Sequence, residues 1–251
     1  MNNLVFDIGA HKGNTVHRFF AQGYKKVVAV EPNPQLADAL NLRFRDKDFV
    51  LVEKAVSSYE GEIEFYIGIR ESTLSTVSKD WITDSRFTSN YDWWDEPLKV
   101  KCTNLDNLIN EFGEPDLIKI DVENHEHEVL EGLSKDINSE IRFEWHEEKY
   151  ENAQKACGRL VNLGYSKFAC VAGIDGSIDD FTPEEITGAG LGKNFEYDVV
   201  NEVSAYNKIA KGILLYDKEG LSWESLDSQM AEIFPSPDQS HPYWGMIFAK
   251  K

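Results

Sequence analysis

Basic residues are scarce in this chain of 251 residues. Lysine and arginine number 26 against 44 aspartate and glutamate residues, which gives a formal net charge of −18 at pH 7. The basic residues do not gather into a cluster that could follow a phosphate backbone. We therefore expect no nucleic-acid partner, and like-charge repulsion also disfavours binding to an acidic membrane surface.

Cysteines are few as well. Cys102, Cys157 and Cys170 are odd in number and widely spaced, so they form neither a disulfide framework nor a pair with metal-ligand spacing. Reduced thiols of this kind are typical of cytoplasmic proteins. No apolar run approaches the length of a membrane span, and the first residues do not resemble a secretory signal. The sequence thus predicts a cytoplasmic protein with no membrane partner.

Strand and helix patterns alternate along the chain. Strands are predicted over residues 4–6, 26–30, 49–56, 62–67, 99–102, 116–123, 140–146, 166–172 and 244–249, and helices over residues 14–22, 34–45, 104–112, 126–133 and 151–163. The length and the alternation favour one α/β domain over residues 1–251, with a doubly wound, mostly parallel sheet. Residues 70–97 lack a clean period and are interpreted as a lid insertion, and residues 173–240 as a variable insertion before the last strand.

The first predicted strand ends in the pattern D-x-G-x-x-x-G, formed by Asp7, Gly9 and Gly13. Gly9 allows a sharp turn and a close approach to a ligand, and Gly13 allows a helix to lie close to the strand. The pattern differs from G-x-G-x-x-G because His11 occupies the middle position, which disfavours a dinucleotide. A tight turn without any ligand is the alternative interpretation.

An acidic residue follows the second predicted strand. Glu31 lies 24 positions after Asp7 and immediately before Pro32. A carboxylate at this position can accept hydrogen bonds from both hydroxyls of a ribose, which indicates an adenosine-containing cofactor without specifying which one. Glu31 could alternatively be a helix-entry acid that interacts with the helix dipole.

Two later strands carry charged residues at alternate positions, where central parallel strands are usually apolar. Lys119, Asp121 and Glu123 share one face of the first, and the second repeats the pattern with Arg142, Glu144 and His146. Buried charges cost free energy unless they are paired or functional. The sequence is compatible with a buried ion-pair network or with the floor of an active site.

Six segments between about residues 4 and 146 resemble the FkbM family of methyltransferases. They are FDIGAHKGN, VVAVEPNP, KAVSSYEGEIEFY, NLDNLI, LIKIDVENHEHEVLEGL and FEWH, and their order makes the resemblance specific. It implies a seven-stranded class I methyltransferase sheet with helices on both faces, and S-adenosylmethionine (SAM) as the methyl donor. The sequence departs from the family pattern at Asn124-His125-Glu126, where Gly-Ala-Glu is usual, and at His11, where Asn is common. Both departures lie near the expected site.

The resemblance also implies roles for individual residues. Contacts with the methionine and ribose parts of SAM are expected from Asp7, Gly9, His11, Gly13 and Asn14. Contacts with the ribose hydroxyls and the adenine are expected from Glu31, Pro32, Ala55 and Val56. Asp121 and Glu123 are expected to lie beside the reacting centre.

Methyl transfer to an alcohol also releases a proton, so a base assists it. His146 and Asp121 are the leading candidates for this base, and His125 is the third. Alternatively, a divalent cation such as magnesium could lower the pKa of the alcohol. The candidate ligands for such a cation are Asp121, Glu123, Glu144 and His146.

The function predicted from these features is SAM-dependent O-methylation of a sugar, glycan or other small polyol-containing acceptor. The insertion could offer an aromatic platform for a sugar ring through Trp81, Tyr91, Trp93 and Trp94, or these aromatics could simply anchor the loop. A non-catalytic SAM-binding or structural protein of the same fold is one alternative function. An NAD-dependent oxidoreductase is the other, although the sequence lacks the glycine pattern that it predicts. The oligomeric state is not indicated.

Overall fold

The structure is a computed structural model that describes residues 3–88, 93–174, 182–191, 193–200, 207–234 and 242–251. Its strands are β1 (Leu4–Ile8), β2 (Lys26–Val30), β3 (Asp48–Val52), β4 (Ala55–Val56), β5 (Gly61–Phe65), β6 (Leu98–Thr103), β7 (Leu117–Ile120), β8 (Glu140–His146), β9 (Lys167–Ile174), β10 (Asn194–Val200), β11 (Asn207–Leu215) and β12 (Trp244–Lys250). Its α-helices are α1 (Asn14–Ala21), α2 (Pro34–Arg43), α3 (Lys79–Thr83), α4 (Leu105–Phe112), α5 (Glu126–Glu131), α6 (Tyr150–Asn162), α7 (Pro183–Gly188) and α8 (Trp223–Ile233). None of these helices is long and apolar enough to cross a membrane.

The large sheet has the strand order β10-β11-β9-β12-β8-β7-β1-β2-β3. Strands β3, β2, β1, β7 and β8 pair in parallel, whereas β12 is antiparallel to both β8 and β9. The predicted mixed α/β class with a mostly parallel central sheet is therefore confirmed. Within the described residues the sheet has nine strands instead of seven, because β10 and β11 add two strands beyond β9. These two strands come from the stretch interpreted as a variable insertion.

Apolar side chains alternate between the two faces of the sheet and are covered by different helices. On one face, strand residues such as Phe6 and Ile118 pack against α4, α5, α6 and α8. On the other face, Val5 and its neighbours pack against α1 and α2. On the same face, residues of β9, β11 and β12 pack against α7. The helices thus lie on both faces, as the sequence predicts for a doubly wound sheet.

A second, three-stranded sheet has the order β4-β6-β5. The predicted strand over residues 49–56 is therefore wrong as a single element, because the chain leaves the large sheet after Val52 and enters the small sheet at Ala55. Residues 70–97 contain a 3-10 turn (Ser72–Leu74) and α3. Both elements lie at the end of the large sheet where β7 and β8 finish, since residues near them contact those strand ends.

The fourth parallel strand ends earlier than predicted. β7 finishes at Ile120 instead of continuing to Glu123, and residues Glu123 and Asn124 adopt positive φ angles of 58° and 67°. The turn is held by the buried Glu126, whose carboxylate accepts a hydrogen bond from the Val122 amide at 2.9 Å. Asp121 and Glu123 consequently project from a turn rather than from one face of a strand.

Candidate functional site

A cavity of about 740 Å³ opens at the carboxyl ends of β1, β2, β7 and β8. This is the place where ligands bind in open α/β sheets. Most of the predicted site residues line it, namely Gly9, His11, Asn14, Glu31, Pro32, Ala55, Val56, Asp121, Glu123, Glu144 and His146. Asp7, Gly13 and His125 do not line it.

Gly9 brings the ends of β1 and β7 into contact. Its φ is +81°, and a Cβ atom placed there would lie 1.8 Å from the Asp121 carbonyl oxygen. The amides of Gly9 and Ala10 both donate to the Val30 carbonyl, at 2.9 and 3.1 Å. The loop therefore fits against β2 and β7 only with glycine at this position.

Gly13 has a structural role. It is the N-cap of α1 with φ +78°, and a Cβ atom there would lie 2.5 Å from Phe44 and 2.6 Å from Leu40. The close approach of a helix to the strand that the sequence predicted for Gly13 is thus instead an approach to the side chains of α2 and its C-cap residue.

Glu31 presents a buried carboxylate to the cavity. Its two oxygens accept hydrogen bonds from the amides of His11, at 2.8 Å, and Asn33, at 2.9 Å. Each carboxylate oxygen has two lone pairs, so both oxygens keep acceptor capacity for ribose hydroxyls. Burial raises the pKa of Glu31 to about 7, although the two amide hydrogen bonds act in the opposite direction. This carboxylate is therefore positioned for a ribose and is sensitive to pH near neutrality.

His11 connects the first loop to the insertion. Its Nε2 atom lies 2.8 Å from the Ser72 hydroxyl, and its backbone has a φ of +47°. Burial, reinforced by the nearby charge of Lys12, lowers the pKa of His11 to about 4, so the imidazole is neutral at pH 7. His11 thus joins the insertion to the expected cofactor loop. The contact with Ser72 has no signature in the sequence near His11.

Asp7, Lys119 and Asp121 form a buried ion-pair group. The Lys119 ammonium lies 2.9 Å from Asp121 Oδ2 and 3.6 Å from Asp7 Oδ1. Burial raises the pKa of Asp7 to about 6. Burial also opposes ionisation of Asp121, but Lys119 outweighs that effect and holds the pKa of Asp121 below its usual value. Asp7 therefore lies outside the cavity lining and pairs with Lys119, which lines the cavity.

The floor of the cavity beyond Asp121 is acidic. The side chains of Glu123, Glu144 and His146 converge there, with one potential ligand atom of each lying within 4.8 Å of the others. His146 Nε2 is 3.2 Å from Glu144 Oε2 and 3.9 Å from Glu123 Oε2. Asp121, the fourth ligand in the sequence-based hypothesis of a cation site, is not part of this group.

Arg86 determines how His146 can act. Its guanidinium Nη2 lies 3.3 Å from His146 Nδ1, and a guanidinium can only donate hydrogen bonds. Burial, reinforced by the charge of Arg86, lowers the pKa of His146 to about 3, so the ring carries one proton at pH 7. Because Nδ1 accepts from Arg86, that proton is on Nε2 and faces Glu144.

This tautomer argues against two roles predicted for His146, those of catalytic base and of cation ligand. A nitrogen that carries a proton has no lone pair with which to remove a proton from an acceptor or to bind a cation. In this arrangement His146 is a donor to Glu144, although His146, Glu123 and Glu144 lie close enough together to hold a cation. The sequence could not reveal this, because Arg86 comes from an insertion with no recognisable motif.

We expect methyl transfer to continue at its untreated rate in an excess of a metal chelator. The physical reason is that the Nε2 proton of His146 occupies the position a cation would need. Initial rates measured with and without chelator check this. Loss of activity that magnesium restores would contradict the tautomer assignment and support the cation site formed by Glu123, Glu144 and His146.

His125, the third base candidate, is directed away from the cavity. Its Nε2 atom lies 2.9 Å from the Ser57 hydroxyl and its Nδ1 atom 3.4 Å from Glu128. Ser57 and His125 are both buried. The prediction of a catalytic role for His125 is thus not supported, and the residue instead links α5 to the end of β4.

The three tryptophans of the predicted aromatic platform, all within the described residues, do not line the cavity. Trp81 is fully buried, with its ring centroid 4.4 Å from that of His146, and the Trp94 indole donates to the Leu74 carbonyl at 2.9 Å. Trp93 packs against Phe87, while Tyr91 lies outside the described residues. Phe87 and Trp244 are the aromatic residues near Arg86 that line the cavity. The tryptophans therefore anchor the insertion, which was the alternative interpretation of this segment.

The family model described as "Methyltransferase FkbM domain" matches residues 7–173 of the chain. None of the curated protein sequences matches this chain. Among solved structures, precorrin-6y C5,15-methyltransferase from Geobacter metallireducens is 10% identical with a TM-score of 0.43, and the alignment covers 99% of this chain and 80% of that one.

Two further solved structures are similarly distant. A putative RNA methyltransferase from Pyrococcus horikoshii is 9% identical with a TM-score of 0.38, over 85% of this chain and 74% of its own. The 1,6-didemethyltoxoflavin-N1-methyltransferase of Burkholderia thailandensis is 12% identical with a TM-score of 0.33, over 85% and 71%. These structural similarities are too distant to support an assignment, so the assignment of the chain to a family rests on the match to the family model.

Proposed function

The chain belongs to the FkbM family of methyltransferases, and we propose that it transfers the methyl group of SAM to a hydroxyl of a sugar or a similar small polyol. SAM-dependent methyl transfer follows from the family. The hydroxyl acceptor and its chemical class are the proposal.

The cofactor end of the cavity fits SAM in its chemistry. Gly9 keeps the loop free of a side chain, and the buried Glu31 carboxylate has acceptor capacity for two ribose hydroxyls. Ala55 and Val56 add a small apolar border suited to an adenine ring. When bound, SAM supplies a methyl group on a positively charged sulfonium, which the acidic residues beyond Gly9 favour electrostatically.

The acceptor end supports a hydroxyl for one main reason. The cavity floor there includes the carboxyl groups of Asp121, Glu123 and Glu144, which can accept hydrogen bonds from hydroxyls and take up the proton that is released. Phe87 and Trp244 add aromatic surface that can contact the apolar side of a sugar ring. The net charge of −18 disfavours phosphorylated and nucleic-acid acceptors.

We also propose that the enzyme is cytoplasmic, because its three cysteines are free and buried. A protein that only binds SAM would not need an acidic floor beyond the cofactor loop. An NAD-dependent oxidoreductase would need a richer glycine loop than the one that carries His11.

A panel of acceptors offered in parallel tests this proposal. We expect label from methyl-labelled SAM to appear on sugars or other polyols, and not on amino acids, phenols or RNA. The physical reason is that several carboxyl groups at the floor can each accept a hydrogen bond from a polyol hydroxyl. Mass spectrometry of each reaction is the measurement. Label found solely on an amine or on RNA would overturn the hydroxyl proposal while leaving the family assignment intact.

A further inference from the structure

One side of the cavity is formed by residues 71–78 of the insertion, here called the wall segment. Residues 71–77 line the cavity, and Ser78 is the N-cap of α3. Most hydroxyl side chains of the segment form hydrogen bonds with groups of the protein, and these hydroxyls belong to Ser72, Ser75, Thr76 and Ser78. They therefore fix the shape and the position of the wall segment.

The loop after β1 holds the first part of the wall segment. His11 Nε2 lies 2.8 Å from the Ser72 hydroxyl, and the His11 amide donates to the Glu31 carboxylate at 2.8 Å. The ring nitrogen and the hydroxyl can form a hydrogen bond in either tautomer of the ring, because a hydroxyl both donates and accepts. One residue thus connects the carboxylate expected to bind the ribose with the wall segment.

The turn after β7 holds the second part of the wall segment. The Thr76 hydroxyl donates to the Glu123 carbonyl at 2.6 Å and accepts from the Ser78 amide at 2.8 Å. The side-chain amide of Asn124 donates to the Ser78 hydroxyl at 3.2 Å. The wall segment and the turn that carries Glu123 therefore support each other.

Asn124 occupies a backbone position that glycine would adopt more easily. Its φ of 67° lies in the left-handed region, which costs free energy for a residue with a side chain. The side chain contributes a bridge, because it also accepts a hydrogen bond from Asn152 of α6 at 2.7 Å. Within the described residues, Asn124 and Ser78 lie outside the cavity lining. Asn124 therefore affects a ligand in the cavity through the residues that it holds.

We propose that His11 and Asn124 are positioning residues that hold the wall segment in a fixed place beside the acceptor. The insertion predicted to be a lid is then a preformed wall at this segment, and the departures from the family pattern at His11 and Asn124 determine which acceptors fit. This inference rests on the proposed function, which places an acceptor in this cavity. Accurate placement matters because a displacement of about 1 Å can lower the rate by about 100-fold.

Hydrogen exchange tests the two contacts without any acceptor. In the free wild-type protein, the amides of the wall segment are expected to exchange slowly, as in a fixed element. Ser72→Ala removes the partner of His11, and Asn124→Gly removes the bridge while keeping a positive φ accessible. Each substitution should speed exchange in a peptide covering the wall segment by about 2- to 10-fold, as expected for the loss of one hydrogen bond. Mass spectrometry of that peptide is the measurement.

Two control variants belong to this experiment. Ser58→Ala removes an exposed serine outside the cavity lining, and Ser72→Thr keeps the hydroxyl that meets His11. Both should show the wild-type exchange rate in the wall segment. Wild-type exchange in Ser72→Ala and Asn124→Gly, or exchange at the rate of an unfolded chain in the wild-type protein, would overturn the proposal. If thermal melting shows that Asn124→Gly does not fold, Ser78→Ala removes the same hydrogen bond from its other side.

The effect on the acceptor is measured with the compounds that take label in the acceptor panel. In Asn124→Gly, kcat/KM for the acceptor is expected to fall by about 10- to 100-fold, because the wall no longer holds its place. Relative rates on sugars and polyols of different size should also become more similar. Affinity for S-adenosylhomocysteine (SAH), measured by calorimetry, should stay at the wild-type value. An equal loss of SAH affinity and of kcat/KM would show damage to the whole cavity and would refute the positioning role.

Failure of the proposed function would look different from failure of this inference. If no hydroxyl compound takes label, the proposed function fails, and the exchange rates still decide whether His11 and Asn124 hold the wall segment. If hydroxyl transfer occurs and both Ser72→Ala and Asn124→Gly keep the wild-type kcat/KM and relative rates, only the further inference fails.

Discussion

Replacing Glu31 with alanine is expected to weaken binding of SAM and SAH by roughly 100-fold or more. The substitution removes two charge-assisted hydrogen bonds to the ribose, each worth about 1.5–3 kcal/mol. It also releases the amides of His11 and Asn33, which the same carboxylate holds at 2.8 and 2.9 Å. Isothermal titration calorimetry of both ligands is the measurement.

The matched control for this substitution is Asp38→Ala, which removes an exposed acid from α2 close by in the chain. Its affinity for SAM should equal that of the wild-type protein. Glu31→Gln retains the shape and loses the charge, so its affinity should lie between those of Glu31→Ala and the wild-type protein. Unchanged affinity in Glu31→Ala would remove this residue from the cofactor site.

The same carboxylate predicts a pH dependence. Burial raises the pKa of Glu31 to about 7 in the free protein, and the ionised form is the better acceptor for ribose hydroxyls. SAM binding favours that form and lowers the pKa, so affinity should fall as the pH drops below 7, by up to about tenfold per pH unit. Glu31→Gln should lack this dependence. The same slope in the variant would assign it to another group.

Gly9→Ala is expected to damage both stability and cofactor binding. The new Cβ atom would lie 1.8 Å from the Asp121 carbonyl oxygen, and the backbone has a φ of +81°. Strain at positive φ and the forced separation of β1 from β7 together cost roughly 2–5 kcal/mol. Chemical denaturation measures the loss of unfolding free energy, and calorimetry measures the loss of SAM affinity.

Gly23 provides the matched control for Gly9. It also has a positive φ, +94°, but a Cβ atom there would meet nothing within 4 Å. Gly23→Ala should therefore cost only the backbone preference, about 1–2 kcal/mol, and leave SAM affinity unchanged. If Gly9→Ala and Gly23→Ala lost equal amounts of unfolding free energy, the close contact between Gly9 and Asp121 would not account for the cost of the Gly9 substitution.

The parts of the site that follow from local patterns were predictable. A carboxylate after the second strand and a glycine after the first are positioned by the strands themselves, and parallel strands deliver their ends to one edge of the sheet. The polar face of β7 and β8 was also readable, since Asp7, Lys119 and Arg142 are in register on neighbouring strands. Alternation along each strand predicts that Lys119 and Arg142 lie on a polar face, but it does not predict their register.

The parts that depend on distant segments could not be predicted. Arg86 contacts His146 only because α3 and the residues after it fold against the ends of β8 and β12. The choice of tautomer at His146 follows from that contact and has no signature in the sequence near residue 146. β7 ends early because the buried Glu126 carboxylate holds a turn at the Val122 amide. The alternation of polar and apolar residues alone predicts that the strand continues through this turn.

The extent of the sheet was hidden for a similar reason. Strands β10 and β11 lie in a stretch of mixed composition. β10 pairs with β11 and β11 pairs with β9, both in antiparallel fashion, at that edge of the sheet. The short β4 was merged with β3 in the prediction, because only two residues, Glu53 and Lys54, separate the sheets. Patterns of hydrophobicity do not show which of two sheets a strand joins.

A crystal structure with SAH bound tests the account most directly. The ribose hydroxyls are predicted to lie within hydrogen-bonding distance of Glu31, with the adenine bordered by Ala55 and Val56. The sulfur is predicted to face the carboxyl groups of Asp121, Glu123 and Glu144, which line the other end of the cavity. SAH bound outside this cavity, or bound with its ribose away from Glu31, would contradict the account.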